Sequence, residues 1–211
     1  RVTRRLRVIT WNVGTAEPPE EADALLALDQ EGPPPHLYII GLQELSARVD
    51  LFLRDSLVDD PWSCFLMDVL APRGYCVQRE SVRLQGLLLL VFVQNSLLPL
   101  VRDVHTAYTR TGLGGYWGNK GGVSVRMSLC GLSLCFVNCH LPPHEGGHLQ
   151  RLDALERILD EQRYLGVSVS HLHSIVLCLG DLNFRIADHG LRFTRDSIDN
   201  GRLHLLWGKD E

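Results

Sequence analysis

The chain has 211 residues, 45% of them apolar and 22% charged, with mean hydropathy near zero. These are the values of a globular domain large enough to bury a sizeable core. A net charge of -4 argues against a non-specific nucleic-acid binder, and no apolar run is long enough to span a membrane.

Arg1, Arg4, Arg5 and Arg7 form the one basic cluster and lead into a predicted strand, Leu6–Trp11, which stops at Asn12. Pro18-Pro19 opens a predicted helix over Glu20–Leu28, and Gly32-Pro33-Pro34-Pro35 closes it. A second strand, Leu37–Leu42, stops at Gln43-Glu44, and a second helix is expected over Ser46–Val58. Leu87–Val93 reads as a third strand. The segment Thr109–Gly122 carries six glycines with Asn119 and Lys120, and is expected to be a loop whose backbone amides approach an anion. Gly122–Leu129 and Ser133–Asn138, joined by Cys130-Gly131, read as a hairpin that runs on into Cys139 and His140. Leu149, Leu152, Leu155 and Leu159 recur at helical spacing and predict a helix from Gly147 to Tyr164 with a core-facing stripe. A last strand, Ser174–Leu179, ends in Gly180-Asp181, with Asn183 two places on. This alternation of β-branched runs and amphipathic segments predicts a mixed α/β domain.

Six cysteines, Cys64, Cys76, Cys130, Cys135, Cys139 and Cys178, form no C-x-x-C pair. They are expected to be buried free thiols of a reducing compartment and not zinc ligands. His140, His144 and His148 have the spacing of a helical metal site, but Pro142-Pro143 interrupts any shared helical face.

The informative pattern is that four apolar runs end in residues with ligand or catalytic chemistry, and strand ends are where α/β folds assemble sites. Glu44 and Asn12 supply a carboxylate and an amide oxygen, which suit a hard ion such as Mg²⁺. Asp181 can take a proton from water, Asn183 can hold that water or a transferring group, and His140 can donate to a phosphate oxygen. No Ser or Cys nucleophile with a positioned base is visible, so the set points to direct attack of water on phosphorus.

Five motifs occur in a recognisable order: Trp11-Asn12-Val13-Gly14, Gly41-Leu42-Gln43-Glu44, the run from Arg110 to Gly122, Asn138-Cys139-His140-Leu141, and Gly180-Asp181-Leu182-Asn183-Phe184-Arg185. Together they resemble the inositol polyphosphate 5-phosphatases over essentially the whole chain. The resemblance implies a two-sheet sandwich flanked by helices, of the endonuclease/exonuclease/phosphatase type. It implies Asn12 and Glu44 at Mg²⁺, Asp181 as the base, Asn183 positioning water or phosphate, and His140 and Lys120 on substrate phosphates, supported by Asn119 and Arg185. The implied activity is removal of the 5-phosphate from phosphatidylinositol 4,5-bis- and 3,4,5-trisphosphates, and from soluble inositol polyphosphates. The implied setting is cytoplasmic, peripheral to a membrane surface that presents phosphoinositide head groups.

The family's later Pro-Ala-Trp-x-Asp-Arg-Ile-Leu and Ser-Asp-His motifs are not in these residues. Residues 1–211 are therefore expected to be the N-terminal portion of a single catalytic domain, cut at both ends and C-terminally incomplete. Asp188-His189 lies too close after Asp181 to replace those motifs and is expected to be a loop. Two other readings stand beside the enzyme: a catalytically incomplete interaction or scaffold module, and a nuclease of the same superfamily. The missing basic stripe and the Gly118-Asn119-Lys120-Gly121 string weigh against the nuclease.

Overall fold

Successive side chains of a strand point to opposite faces, so a strand buried at every position must be covered on both sides. Leu37–Gln43 is such a strand, and Leu87–Gln94 is one up to its last residue. The computed structural model describes residues 3–46, 60–77, 82–112, 117–144, 146–164, 167–168 and 174–211. In it, β1 (Leu6–Asn12), β2 (Leu37–Gln43), β3 (Tyr75–Val77), β4 (Val82–Leu84) and β5 (Leu87–Gln94) form one sheet, ordered β1-β2-β5-β3 with β4 also on β5. A second sheet holds β6 (Val101–Gly112), β7 (Trp117–Leu129) and β8 (Leu132–His140). After β9 (Arg163–Tyr164) and β10 (Val167–Ser168), which form a two-stranded sheet, β11 (Ile175–Asp181) completes the second sheet in the order β11-β8-β7-β6. β1 and β2 are parallel, as are β8 and β11; β5, β7 and β6 run antiparallel to their neighbours.

The sheets pack face to face, which is the sandwich the sequence implied. Leu37 and Ile39 of β2, Leu89 and Val91 of β5, Val123, Val125 and Met127 of β7 and Phe136 of β8 fill the space between them. The opposite parity of β2 and β5 turns outward, where Ile40, Leu42, Leu90 and Phe92 meet Leu26 of α1 (Asp23–Leu26) and Trp62, Leu66 and Leu70 of α2 (Pro61–Leu70). On the far side, Cys135, Val137 and Cys139 pack on Ala154 and Ile158 of α3 (His148–Glu161). Each such large apolar side chain contributes about 1.5–3 kcal/mol by leaving water.

The differences from expectation have local causes. The first helix is one turn, Asp23–Leu26, because Ala27 takes a left-handed conformation with φ of 51°. The helix expected over Ser46–Val58 lies, beyond Ser46, outside the described residues. β6 was not expected, since its burial pattern is mostly exposed and its sequence polar. Helix α2 was missed too, although Asp60 caps it by accepting from the Ser63 amide at 2.8 Å and Pro61 stands at its first turn. A further helix, α4 (Leu191–Asp199), follows β11.

The glycine-rich segment is the main correction. Its described residues are strand and not loop. Arg110 pairs with Gly121 and Gly112 with Trp117, so the segment is the end of the β6–β7 hairpin, and its residues 113–116 lie outside the described ones. Gly121 serves close packing: a Cβ there would come 2.1 Å from the Thr109 carbonyl oxygen. The cysteines also divide differently. All six are free, but only Cys135 and Cys139 are fully buried, while Cys76, Cys130 and Cys178 are exposed.

Candidate active site

The topology brings six strand ends to one end of the sandwich. β1 and β2 run parallel, with Asn12 opposite Gln43, so Asn12 and Glu44 leave the first sheet together. β8 and β11 run parallel with His140 opposite Asp181. β7 is antiparallel to β8 and places Gly121, and so Asn119 and Lys120 just before it, beside His140. β5 is antiparallel to β2 and starts beside Leu42, which puts the Gln85-Gly86 turn at the same end.

The side chains meet accordingly. Asn12 Nδ2 donates to Asp181 Oδ2 at 2.9 Å, and the Asn183 backbone amide donates to Asp181 Oδ1 at 3.1 Å. His140 Nε2 lies 3.6 Å from both Glu44 Oε1 and Asp181 Oδ2. Asn183 Nδ2 donates to the Leu141 carbonyl at 2.9 Å, and its Oδ1 accepts from Arg185 at 3.0 Å. Glu44 and Asn183 are both held at positive φ, 57° and 55°. Non-glycine residues in that region cluster at sites where surrounding structure fixes them. Asn12, Glu44, His140, Lys120, Asp181 and Asn183 thus share one cleft, and Arg185 stands at its edge beside Asn183.

His140 sits at the floor of this cleft, against Lys120. It is only 2% exposed, and Lys120 Nζ makes a short contact with its Nε2. An ammonium has only donors, so with Lys120 charged Nε2 is the acceptor and the imidazole proton is assigned to Nδ1. Burial, then the Lys120 charge, lowers the His140 pKa from 6.5, which keeps the ring neutral at pH 7. Burial also lowers the Lys120 pKa, against the opposing pull of Glu44 and Asp181. Lys120 therefore lies in the cleft, with His140 beneath it as its acceptor.

Under the cleft the two sheets are tied by a pair of amides that motif reading left without a role. Asn138 Oδ1 accepts from Gln43 Nε2 at 2.7 Å, and Asn138 Nδ2 donates to the Leu42 and Leu88 carbonyls at 3.1 and 2.9 Å. Gln43 and Asn138 are buried, at 1% and 0% exposure. Gly41 makes room, since a Cβ there would lie 2.8 Å from Asn138 Cγ. The signal in the sequence was a polar residue inside an otherwise apolar strand, which needs a partner when buried.

A cavity of about 220 Å³ opens beside this centre, lined by Glu44, Leu45, Gln85, Gly86, Asn119, Lys120 and His140. Gln85 was not anticipated there. Asp188 and His189 lie away from these contacts: Asp188 pairs with Lys209 at 2.7 Å, and the His189 ring packs on Phe193 with centroids 4.6 Å apart.

The donor set suits a hard divalent cation. Among the described residues no hydrogen bond reaches the Glu44 carboxylate, whose side chain is 44% exposed to the cleft. Two carboxylates, Glu44 and Asp181, face one lysine, which leaves a net charge of about -1 at His140 and repels a phosphate unless a cation offsets it. Asn12 Oδ1 accepts from the Gly14 amide at 3.1 Å and keeps its second lone pair. Few protein ligands and several waters are what such an ion accepts.

Residues 9–211 match the family model described as Endonuclease/Exonuclease/phosphatase family 2. The chain is 47% identical over 213 residues to human phosphatidylinositol 4,5-bisphosphate 5-phosphatase A, covering 98% of this chain and 21% of that protein. It is 43% identical over 208 residues to mouse inositol polyphosphate 5-phosphatase K, covering 98% of this chain and 44% of that protein. Among solved structures it matches the inositol polyphosphate 5-phosphatase domain of SPsynaptojanin in complex with inositol (1,4)-bisphosphate and calcium ion. That match has a TM-score of 0.83 and 25% identity, and covers 98% of this chain and 60% of that one. The chain therefore spans less than half the length of these two curated relatives.

Proposed function

The chain belongs to the Endonuclease/Exonuclease/phosphatase family 2, and on that premise we propose that it hydrolyses the 5-phosphate of phosphoinositides. The substrates are phosphatidylinositol 4,5-bisphosphate and 3,4,5-trisphosphate, with soluble inositol polyphosphates as further ones, and the cofactor is Mg²⁺. The observation that carries the reading is the convergence of Glu44, Lys120 and Asp181 around His140 at the shared end of both sheets. The identities of 47% and 43% to two named 5-phosphatases support the substrate class. The calcium ion in the SPsynaptojanin domain's complex with inositol (1,4)-bisphosphate supports a divalent cation.

In this reading Asp181 is the general base. Donors from Asn12 and Asn183 orient both of its oxygens, and each oxygen keeps a lone pair for a proton of the attacking water. Lys120 contacts a non-bridging phosphate oxygen and neutralises charge that builds in the transition state, while neutral His140 fixes its ammonium from below. Asn183 keeps water or phosphate in line, itself held by the Leu141 carbonyl and Arg185. Asn119 lines the cleft beside Lys120. Glu44 and Asn12 would hold Mg²⁺, which when bound supplies positive charge to the phosphate oxygens. The protein works at a cytoplasmic membrane surface that presents the lipid head groups. No helix among the described residues is long and apolar enough to cross a membrane.

The test is product identity. The complete natural protein, given inositol 1,4,5-trisphosphate and Mg²⁺, yields inositol 1,4-bisphosphate and inorganic phosphate. Release of the 1- or 4-phosphate instead would contradict the reading.

A further inference from the structure

The Gln85-Gly86 turn between β4 and β5 places its residues contrary to local preference. Its left-handed residue is Gln85, with φ of 49°, and not the neighbouring glycine. Two-residue hairpin turns usually give that position to Gly, Asn or Asp. Gly86 is fixed by another demand: a Cβ there would lie 3.2 Å from the Leu45 carbonyl, and the Leu45 amide donates to the Gly86 carbonyl at 3.0 Å. The left-handed position therefore falls to a residue with a long polar side chain.

That side chain has a place prepared for it. It packs over Gly118 of β7, where a Cβ would meet Gln85 Cδ at 3.0 Å and Nε2 at 3.1 Å. It lines the cavity beside Asn119, Lys120 and His140. Among the described residues no hydrogen bond engages its carboxamide; Arg83 Nε donates to its backbone carbonyl at 2.9 Å. An amide held in a cleft with free donors and acceptors is a recognition group.

We propose that Gln85 is a specificity-determining residue, whose carboxamide, with that of Asn119, binds a hydroxyl of the substrate ring next to the phosphate-binding centre. This rests on the 5-phosphatase reading. A hydroxyl fits better than a second phosphate. The cavity's charged lining is the Glu44 carboxylate and the Lys120 ammonium, and Lys120 already serves the reacting phosphate. The Gln85 end adds only neutral amides, which exchange hydrogen bonds with a hydroxyl in both directions. A phosphate there would lack a cation of its own and share the cavity with Glu44.

The test measures binding, so that it stands apart from catalysis. Calorimetric titration of the complete natural protein with inositol 1,4-bisphosphate gives the affinity of wild type and of Gln85→Leu. The expected result is about three- to ten-fold weaker binding by Gln85→Leu, the loss of one or two neutral hydrogen bonds. Unchanged affinity would overturn the proposal. Gln85→Lys is expected to bind no more tightly than wild type; tighter binding would mean an anionic group at this end and would overturn the hydroxyl assignment. Should Gln85→Leu fail to fold, Gly118→Ala, which displaces the same side chain, is expected to weaken binding likewise, and no change there would sink the proposal. Phosphate release by wild type is assayed separately: its absence would refute the hydrolytic reading, while the titration still decides the role of Gln85.

Discussion

Asn12 and Asp181, 169 positions apart, are joined by a 2.9 Å hydrogen bond from the Asn12 amide to Asp181 Oδ2. The bond links the last residue of β1 in one sheet to the last residue of β11 in the other, and it aims the carboxylate proposed as the base. Asn12→Ala should lower kcat by about ten-fold while leaving the thermal midpoint within a few degrees. The lost bond is a single partly solvated one, worth about 0.5–1.5 kcal/mol. An unchanged kcat would mean that Asp181 needs no such orientation.

Asn138→Leu should destabilise the protein far more than its size suggests. It removes one donor from each of the Leu42 and Leu88 carbonyls, which also face each other across the β2–β5 ladder, and one acceptor from Gln43. Each buried hydrogen bond lost costs about 0.5–1.5 kcal/mol. Urea denaturation checks this: the midpoint should fall with an unchanged m-value. A midpoint like that of wild type would show that the inter-sheet amides add nothing.

Lys120→Met should lower kcat/KM by about 10²-fold, as loss of one charge-stabilising donor does. His140→Gln keeps an acceptor under Lys120 and should lose less; an equal or larger loss would put His140 itself on the phosphate. A pH effect follows as well. The folded pKa of His140 lies below 6.5. As pH falls through about 6.5 the unfolded chain binds the proton first, so stability declines toward acid. Denaturation at about pH 7.5 and pH 5.5 should show a smaller decline for His140→Gln.

Thiol labelling separates the cysteines by burial. Burial pushes the Cys135 and Cys139 thiols up to about 12. Little thiolate forms there at about pH 8, and the thiolate is the reactive form. Iodoacetamide should modify Cys76 and Cys130 of the folded protein first and Cys178, whose thiol burial also pushes up, more slowly, and should spare Cys135 and Cys139, as read by peptide mass spectrometry. Early modification of Cys139 would contradict its place against α3.

The elements that could be read from the sequence were those whose apolar runs are continuous. β2, β5 and β8 are buried on both faces over most of their length, so composition alone marks them, and the abrupt polar ends of β2, β8 and β11 mark Glu44, His140 and Asp181. β6 was hidden because it is an edge strand, exposed along much of one face, and its residues Arg102, Asp103, His105 and Arg110 look like loop. Lys120 and Asn119 were found within a motif but assigned to a loop, since glycines needed for close strand packing resemble glycines needed for flexibility. Gln85 carried no signal at all. Its position depends on the β4–β5 turn reaching the cleft from a separate hairpin, which only tertiary pairing reveals.

The central claim is that Asp181 and a divalent cation beside Glu44 act together in one hydrolytic centre. The most direct measurement is inorganic phosphate release from dioctanoyl phosphatidylinositol 4,5-bisphosphate across a Mg²⁺ titration, for wild type, Glu44→Gln and Asp181→Asn. Wild type should be inactive in chelator and saturate with Mg²⁺. Glu44→Gln should need more Mg²⁺ for half its maximal rate, and Asp181→Asn should be slower by ~10²–10⁴-fold at every concentration. Wild-type release that persists in chelator, or an Asp181→Asn rate equal to wild type, would contradict the account.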